Sequence, residues 1–329
     1  MKKTEIYICD CDHADVKQEE NIFRKAGLEF QWLHCRNQQE VINSCQGARI
    51  FLNQYIIMDR NIFRAIPTLK CIVRYGVGVD NVNLEDADEY GVQVCNVPDY
   101  GVNEVSNHAI ALMMALVRKI RQADENIRHG IWDYRQSIPV YRAEAQTVGV
   151  IGTGRIGSAF VRKARALGYR VIGYDINYDP NSGRFPNIEF MPFDRLLTES
   201  DIISVHCQLN ETTRHMFGYK AFQKMKRNAY LINTARGAIV DERALDQALT
   251  EHWIAGAGID VVEEESIPAD HFLLQHDNLI VTPHMAWYSE ESALELNRKC
   301  AQEAVRFMRG EALLYPVNRV WNCGHKVGK

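Results

Sequence analysis

The sequence predicts an α/β protein built from two doubly wound parallel sheets, each in its own domain, with a cleft between them. Three observations carry that prediction. Short apolar runs alternate with helical stretches along most of the chain, the pattern of strand–helix–strand units in a parallel sheet. A glycine fingerprint, Gly152-x-Gly154-x-x-Gly157, lies between one apolar run and the helical stretch after it. Finally, His206, Arg236, Asp260 and His284 each stand at the carboxyl end of an apolar run. Those ends share one sheet edge, where open α/β sheets bind ligands.

A length of 329 residues accommodates about two such domains. A hydrophobic content of 46% and a charged content of 24% are those of a soluble globular chain. The net charge of −4 and pI near 6.3 give no electrostatic footprint for nucleic acid. The longest uncharged apolar run, 109–117, has nine residues, against about 20 needed to span a bilayer, so no membrane association is expected. Nine cysteines without framework spacing point to free thiols in a reducing cytoplasm. Cys9-x-Cys11 lacks the spacing and second pair of a zinc site, and no metal is expected.

From the start, strands are predicted at 5–9, 28–33, 48–52, 70–74 and 92–95, with helices near 16–26, 38–45, 59–65 and 84–90. This is an α/β unit without a phosphate fingerprint. Its notable turn is Arg74-Tyr75-Gly76-Val77-Gly78-Val79-Asp80-Asn81, whose glycines let backbone amides turn toward the crevice at the sheet edge. Asn96-Val97-Pro98-Asp99-Tyr100-Gly101 reads as an extended segment and turn at a domain boundary. Asn103 is then expected to cap one long helix, 104–129, stopped at Gly130 and apolar on more than one stripe. His108 on that helix is read as structural.

The stretch 147–158 enters the fingerprint as a strand and leaves it as a helix that closes at Gly168; a second strand, 170–174, ends on Asp175. Gly152 makes the tight turn, Gly154 lets amides approach a pyrophosphate, and Gly157 lets helix and strand pack closely. Arg155 and Ile156 open the helix whose positive end attracts that pyrophosphate. Asp175, 18 residues past Gly157, is placed to accept the adenosine ribose hydroxyls and to repel a 2′-phosphate, favouring NAD over NADP. The unit is therefore expected to be the NAD-binding Rossmann domain, and both units to be doubly wound sheets of the Rossmann or flavodoxin-like kind. Later strands are predicted at 202–206, 229–233, 256–262 and 279–282, with helices near 219–225, 242–250 and 290–309.

A 2-keto acid reduced with NADH needs a cation for its carboxylate and a proton donor at its carbonyl. Arg236 offers a planar bidentate fork, and the imidazole of His284 exchanges protons near neutral pH. Glu265, 19 residues before His284, can hold that ring in position. Each also has an ordinary reading: a carbonyl cap, a strand end, and a solvated member of the acidic run 263–265.

These residues resemble the D-isomer-specific 2-hydroxyacid dehydrogenases. The likeness lies in the fingerprint, in Asn233-Thr234-Ala235-Arg236-Gly237, in Gly258-Ile259-Asp260 through Glu265, and in Thr282-Pro283-His284. Within that family the chain looks nearest the C-terminal-binding-protein-like branch, through the Arg74–Asn81 turn, His206-Cys207-Gln208-Leu209-Asn210-Glu211, and Pro283 to Ser289. The resemblance implies a substrate domain of 1–102 plus 290–329 and an NAD-binding domain of 103–289. It implies Arg236, Glu265 and His284 as the catalytic set. NAD would lie against Gly152, Gly154, Arg155, Ile156, Gly157, Asp175, His206, Cys207, Thr234, Ala235, Arg236, Asp260 and His284, with Asp260 facing the nicotinamide carboxamide. The substrate, a small 2-keto or 2-hydroxy acid, would meet Arg74, Val77, Gly78, Arg236 and Trp287, with Tyr75 and Tyr100 as further aromatic candidates.

A homodimer through the long helix is implied as well. Ser266 departs from the proline usual after that glutamate, and Asn107 stands where an acid is frequent. The formate-oxidising relatives carry glutamine where this chain has Glu265. The named branch also contains corepressors, so an NAD(H)-sensing interaction protein stands beside the enzyme as a second reading.

Overall fold

The computed structural model describes residues 4–179, 188–264 and 266–320. The chain divides into two compact units, Met1–Tyr100 with Ser289–Lys329, and Gly101–Tyr288. The first opens with β1 (Ile6–Ile8), α1 (Lys17–Ala26), β2 (Phe30–Trp32), α2 (Gln38–Ser44) and β3 (Ile50–Asn53). It continues through α3 (Arg60–Ala65), β4 (Cys71–Arg74), α4 (Leu84–Glu89) and β5 (Gln93–Cys95). The second unit begins with α5 (Val102–Val117) and α6 (Ile120–Arg128), then β6 (Thr147–Ile151), α7 (Arg155–Ala166), β7 (Arg170–Tyr174) and β8 (Glu189–Phe190). After these come α8 (Phe193–Glu199), β9 (Ile202–Val205), α9 (Tyr219–Lys224), β10 (Tyr230–Asn233), α10 (Glu242–Thr250), β11 (Gly256–Ile259) and β12 (Leu279–Val281). The last helix, α11 (Glu290–Arg309), returns to the first unit.

The first sheet runs β2-β1-β3-β4-β5, all parallel. Its central strands, Ile-Phe-Leu-Asn and Cys-Ile-Val-Arg, are buried almost throughout, as strands covered on both faces must be. Side chains of Asn37, Asp59 and Asn83 cap the helices that follow them, each supplying an oxygen to an otherwise orphaned amide. α11 starts on a reciprocal Ser289–Ser292 capping box and stops at Gly310, whose φ is +69°. It buries Leu296, Cys300, Ala304 and Phe307. Buried Glu303 pairs with Arg306 at 3.2 Å and takes the amides of Leu314 and Tyr315, holding the chain's return toward β5.

The second sheet runs β12-β11-β10-β9-β6-β7-β8, again all parallel. Val148 and Val150 of β6 join Ile202, Ile232 and the buried faces of α5 and α7 in one apolar layer. Ile151, Ile203, Val205 and Leu231 join α8, α9 and α10 in the layer opposite. The order reverses direction between β6 and β9, which opens a crevice outside the strands' carboxyl ends.

Two expectations are corrected. The long helix 104–129 is two helices, and it begins at Val102 with Gly101 as its cap, without a side-chain bond. The break falls at Lys119, whose φ is +52°. α5 buries Val105, Ala109, Leu112, Met113, Leu116 and Val117, whereas α6 buries nothing. The helix therefore turns where its anchoring stripe ends. Short β8 was not foreseen; two residues carry no periodicity.

Candidate active site

The site grows from the end of β6. Gly152 turns with φ +83°, and a Cβ there would lie 2.6 Å from the amide nitrogen of Cys207. A Cβ on Gly157 would lie 2.0 Å from the Gly152 carbonyl oxygen, so both positions exclude every larger residue. Gly154 differs, with open space around its α-carbon. It caps α7, whose first amides have no partner within the helix. Ser158 Oγ donates to the carbonyls of Thr153 and Gly154 at 2.8 and 2.5 Å, tying the loop to the helix. Asp175, just past β7, accepts Thr153 N at 2.7 Å and Thr153 Oγ1 at 2.8 Å, and its second oxygen accepts Asn177 N. The carboxylate thus holds the glycine loop itself.

Behind the loop, His206 follows β9. Its Nε2 lies 2.8 Å from Ser204 Oγ, and its ring leans on Phe160 with centroids 4.9 Å apart. Burial pushes the imidazole down to about 3, so it is neutral, and the Cys207 thiol up to about 11, so it is inert. His206 Nδ1 and Thr234 Oγ1 are buried with no partner among the described residues. Buried polar atoms of this kind ordinarily meet a ligand or water. Together with the open flank of Gly154, they fit a dinucleotide laid along this edge.

At the end of β10, Asn233 shapes the turn that carries Arg236. Its side chain donates to the Arg236 carbonyl at 2.9 Å and accepts Ala235 N at 3.0 Å, while its carbonyl accepts Asp260 N at 2.9 Å. Gly237 lies directly on the backbone of Val262 and Glu263. Arg236 is part-buried, and its Nη1 donates to the Ala235 carbonyl at 2.8 Å.

The turn after β12 is organised by Asp260, which is 1% exposed. Its carboxylate accepts Thr282 Oγ1 at 2.5 Å, Met285 N at 3.0 Å and Ala286 N at 2.8 Å; its carbonyl accepts His284 N at 2.8 Å. His284 is thereby held at φ +51°, a left-handed conformation that a side-chain-bearing residue keeps only when its surroundings impose it. His108 of α5 lies 2.9 Å from Thr282 Oγ1 through Nε2. Because the threonine hydroxyl gives its proton to Asp260, His108 is the donor in that contact.

The structure therefore brings Asp260, Thr282 and His284 together and adds His108, read from the sequence as structural, as their support. No local pattern announces a contact spanning 174 residues. Glu265 lies outside the described residues. Its neighbour Glu263 bonds His215 Nε2 at 3.0 Å and gives its amide to Glu242 at 2.8 Å. In the first unit, the Arg74 side chain folds over Gly76 (φ +137°), where a Cβ would collide with the guanidinium. Val77 is fixed by Asn96 on its carbonyl, and Gly78 follows it in the same turn. Tyr75 is no pocket wall. It is 2% exposed, with its hydroxyl donating to buried Glu19 at 2.8 Å. Tyr100 is buried too, and half-buried Trp287 packs its backbone toward Gly101 and its ring edge-on to Tyr288.

Residues 110–286 match the family model for the D-isomer specific 2-hydroxyacid dehydrogenase, NAD binding domain. The chain belongs to the D-isomer specific 2-hydroxyacid dehydrogenase family. A glyoxylate reductase of Korarchaeum cryptofilum is 38% identical over 275 residues, covering 83% of this chain and 82% of that one. A glycerate dehydrogenase of Methylorubrum extorquens is 36% identical over 280 residues, 83% of this chain and 87% of its own. Among solved structures, D-lactate dehydrogenase from Aquifex aeolicus, complexed with NAD and lactic acid, superposes with a TM-score of 0.86. It is 27% identical and covers 93% of this chain and 96% of its own. As a member of the D-isomer specific 2-hydroxyacid dehydrogenases, this protein is an NAD-dependent oxidoreductase of 2-hydroxy acids.

Proposed function

We propose that Arg236 binds the carboxylate of a small 2-keto acid and that His284 exchanges the proton at its C2 oxygen, with Glu265 as the partner of His284. Bound NAD supplies or accepts the hydride at C2. The observation that carries this reading is the grip of Asp260 on the His284 turn: its carbonyl accepts His284 N and its buried carboxylate accepts the next two amides. A proton-exchanging residue is thereby held in a strained conformation past the end of β12, in the same sheet as the strand β10 that presents Arg236. Strain maintained this way is typical of functional positions. Asp260 is committed to that turn, and we assign it there rather than to the nicotinamide carboxamide.

For the cofactor, we assign the pyrophosphate to Gly152, Gly154, Arg155, Ile156 and Gly157 and the adenosine ribose to Asp175. His206, Cys207, Thr234 and Ala235 would line the remainder. Arg74, Val77 and Gly78 are proposed as the first unit's contribution to substrate binding. Trp287 is proposed as an aromatic wall that favours a side chain larger than hydrogen at C2.

We further propose a homodimer. α6 and the segment after it expose Ile120, Ile127, Trp132 (88%), Tyr134 (81%) and Ile138, an apolar face of the kind that marks an association site. All cysteines among the described residues are free thiols, which supports a cytoplasmic setting; no described helix is long and apolar enough to cross a membrane. The motifs around Arg74, His206 and Trp287 support placement near the C-terminal-binding-protein-like branch. The relatives' names, reductases and dehydrogenases, support catalysis over a corepressor role.

A panel of 2-keto acids from glyoxylate to bulky aliphatic and thioether acids, assayed with NADH and NADPH, tests the reading. NADH oxidation is expected, with larger acids ahead of glyoxylate in the wild type and that lead reduced in Trp287→Ala. His284→Ala should cost about 10²–10⁴-fold in kcat and remove the pH dependence of both directions. Undiminished turnover in His284→Ala rejects its role as acid and base.

A further inference from the structure

We infer that Glu242 is a positioning residue for the reaction, fixing the Arg236 turn through the backbone of Val262 and Glu263. The inference rests on the assignment of Arg236 to the substrate carboxylate.

The Arg236 turn is held from two sides. Asn233 grips it before Arg236. After Arg236, Gly237 lies backbone against backbone on the next segment: a Cβ there would be 2.0 Å from the carbonyl carbon of Val262, 2.1 Å from its oxygen and 2.5 Å from Glu263 N. No side chain cushions that contact, so a shift of residues 262–263 is passed directly to the neighbour of Arg236. Those residues lie beyond the end of β11 at Ile259, outside the sheet ladder.

Val262 is anchored by its buried side chain, and the Glu263 backbone is fixed by Glu242. Its Oε1 accepts Glu263 N at 2.8 Å, and its Oε2 stands 3.7 Å from His271 Nε2. Its side chain is only 17% exposed, and it rides on the first turn of α10, which Asp241 caps through Arg243 N and Ala244 N. The next residue, Arg243, lies over the Phe272 ring at 3.8 Å, which braces that turn further. The other bond to this segment, His215 to the Glu263 carboxylate, is 42% and 31% exposed, and solvent screening leaves such pairs weak. With Val262 held by its burial in the apolar layer, Glu242 is the better shielded of the two side chains that fix Glu263. Displacing a substrate-positioning group by about 1 Å can cost on the order of 10²-fold in rate.

The test uses the full-length enzyme with Glu242→Ala and Glu242→Gln, the latter keeping an oxygen that can accept the Glu263 amide. In Glu242→Ala, kcat/KM for the preferred keto acid should fall roughly 10- to 100-fold, mostly through KM. KM for NADH should stay within about twofold, and amide exchange across 260–264 should accelerate; these values follow from displacing one substrate-binding group. Glu242→Gln should recover most of the loss. If Glu242→Ala does not fold, Glu242→Asp, which withdraws the carboxylate by one methylene, takes its place. The inference is overturned by unchanged exchange, by kcat/KM unchanged despite faster exchange, or by a loss in Glu242→Gln equal to that in Glu242→Ala. Arg236→Lys, measured alongside, separates the two readings. An unchanged keto-acid KM there rejects the assignment of Arg236, whatever the Glu242 variants do.

Discussion

Each of the two units is a parallel sheet whose strand order reverses once, between β1 and β3 in the first and between β6 and β9 in the second. Both reversals create the same kind of crevice, yet they are filled differently. In the first unit the crevice is filled by the chain itself. Asp10, just past β1, accepts Gln54 N, Tyr55 N and Ile56 N at 3.1, 2.6 and 2.9 Å, and Asn53 Nδ2 at 2.9 Å. A concavity of successive amides is an anion site, and here the anion is built in. In the second unit the amides at the start of α7 meet no carboxylate among the described residues, and Asp175 stands aside holding Thr153. The fold supplies a crevice; one side chain decides whether it is a binding site or part of the core.

Substitutions in either crevice should show the difference. The largest effect is expected at Gly157. A Cβ there meets backbone, the Gly152 carbonyl, at 2.0 Å, and overpacking against backbone costs about 1–3 kcal/mol or more. Gly157→Ala should lose measurable NADH binding and melt lower, which fluorescence titration and calorimetry would register. Normal affinity in that variant would mean the loop yields more than its geometry allows.

The second effect is on acid stability. Although His206 as a whole is partly exposed, its Nδ1 is sealed, and burial depresses the imidazole to about 3. The unfolded chain then takes up a proton that the folded one refuses, so stability present above the unfolded value near 6.5 drains as pH falls toward 3. Between pH 6.5 and 4 this amounts to roughly 3 kcal/mol, and His206→Gln should lose correspondingly less over that range in urea titrations. Equal losses in the two proteins would contradict a neutral, buried ring.

Asp10 has the opposite sign. Burial, the largest influence, raises it above the ordinary carboxylate value, with the four hydrogen bonds opposing. Its contribution is present at low pH and is lost as pH rises through the raised value. Asp10→Asn should cost about 1–3 kcal/mol, because an amide NH₂ then faces backbone N–H groups that are left unpaired. A melting temperature unchanged by that substitution would remove the built-in anion from the account.

Much of the fold was legible because its signals are local. α10 and α11 start and stop where the sequence places them, since Asp241 and Ser289 cap them and Gly310 ends the latter. The glycine loop was legible for the same reason: strand, turn and helix lie within about two dozen residues. What was not legible depends on partners far along the chain. The break at Lys119 follows from where burial stops, a tertiary fact. His108, Thr282 and Asp260 meet across 174 and 22 residues, and nothing near His108 predicts it. Tyr75 is an aromatic candidate for the pocket by sequence, yet its hydroxyl meets buried Glu19, 56 residues away along the chain.

The most direct test of the difference between the crevices is Gly154→Ala. Gly154 has a φ of −60°, and nothing lies within 4 Å of where its Cβ would be, so alanine leaves the fold undisturbed. If the amides there receive the cofactor pyrophosphate, the new methyl occupies the ligand's approach. NADH affinity by calorimetric titration should fall at least about tenfold, equivalent to roughly 1.4 kcal/mol, with the melting temperature of the unliganded protein unchanged. Undiminished affinity at unchanged stability would contradict the account.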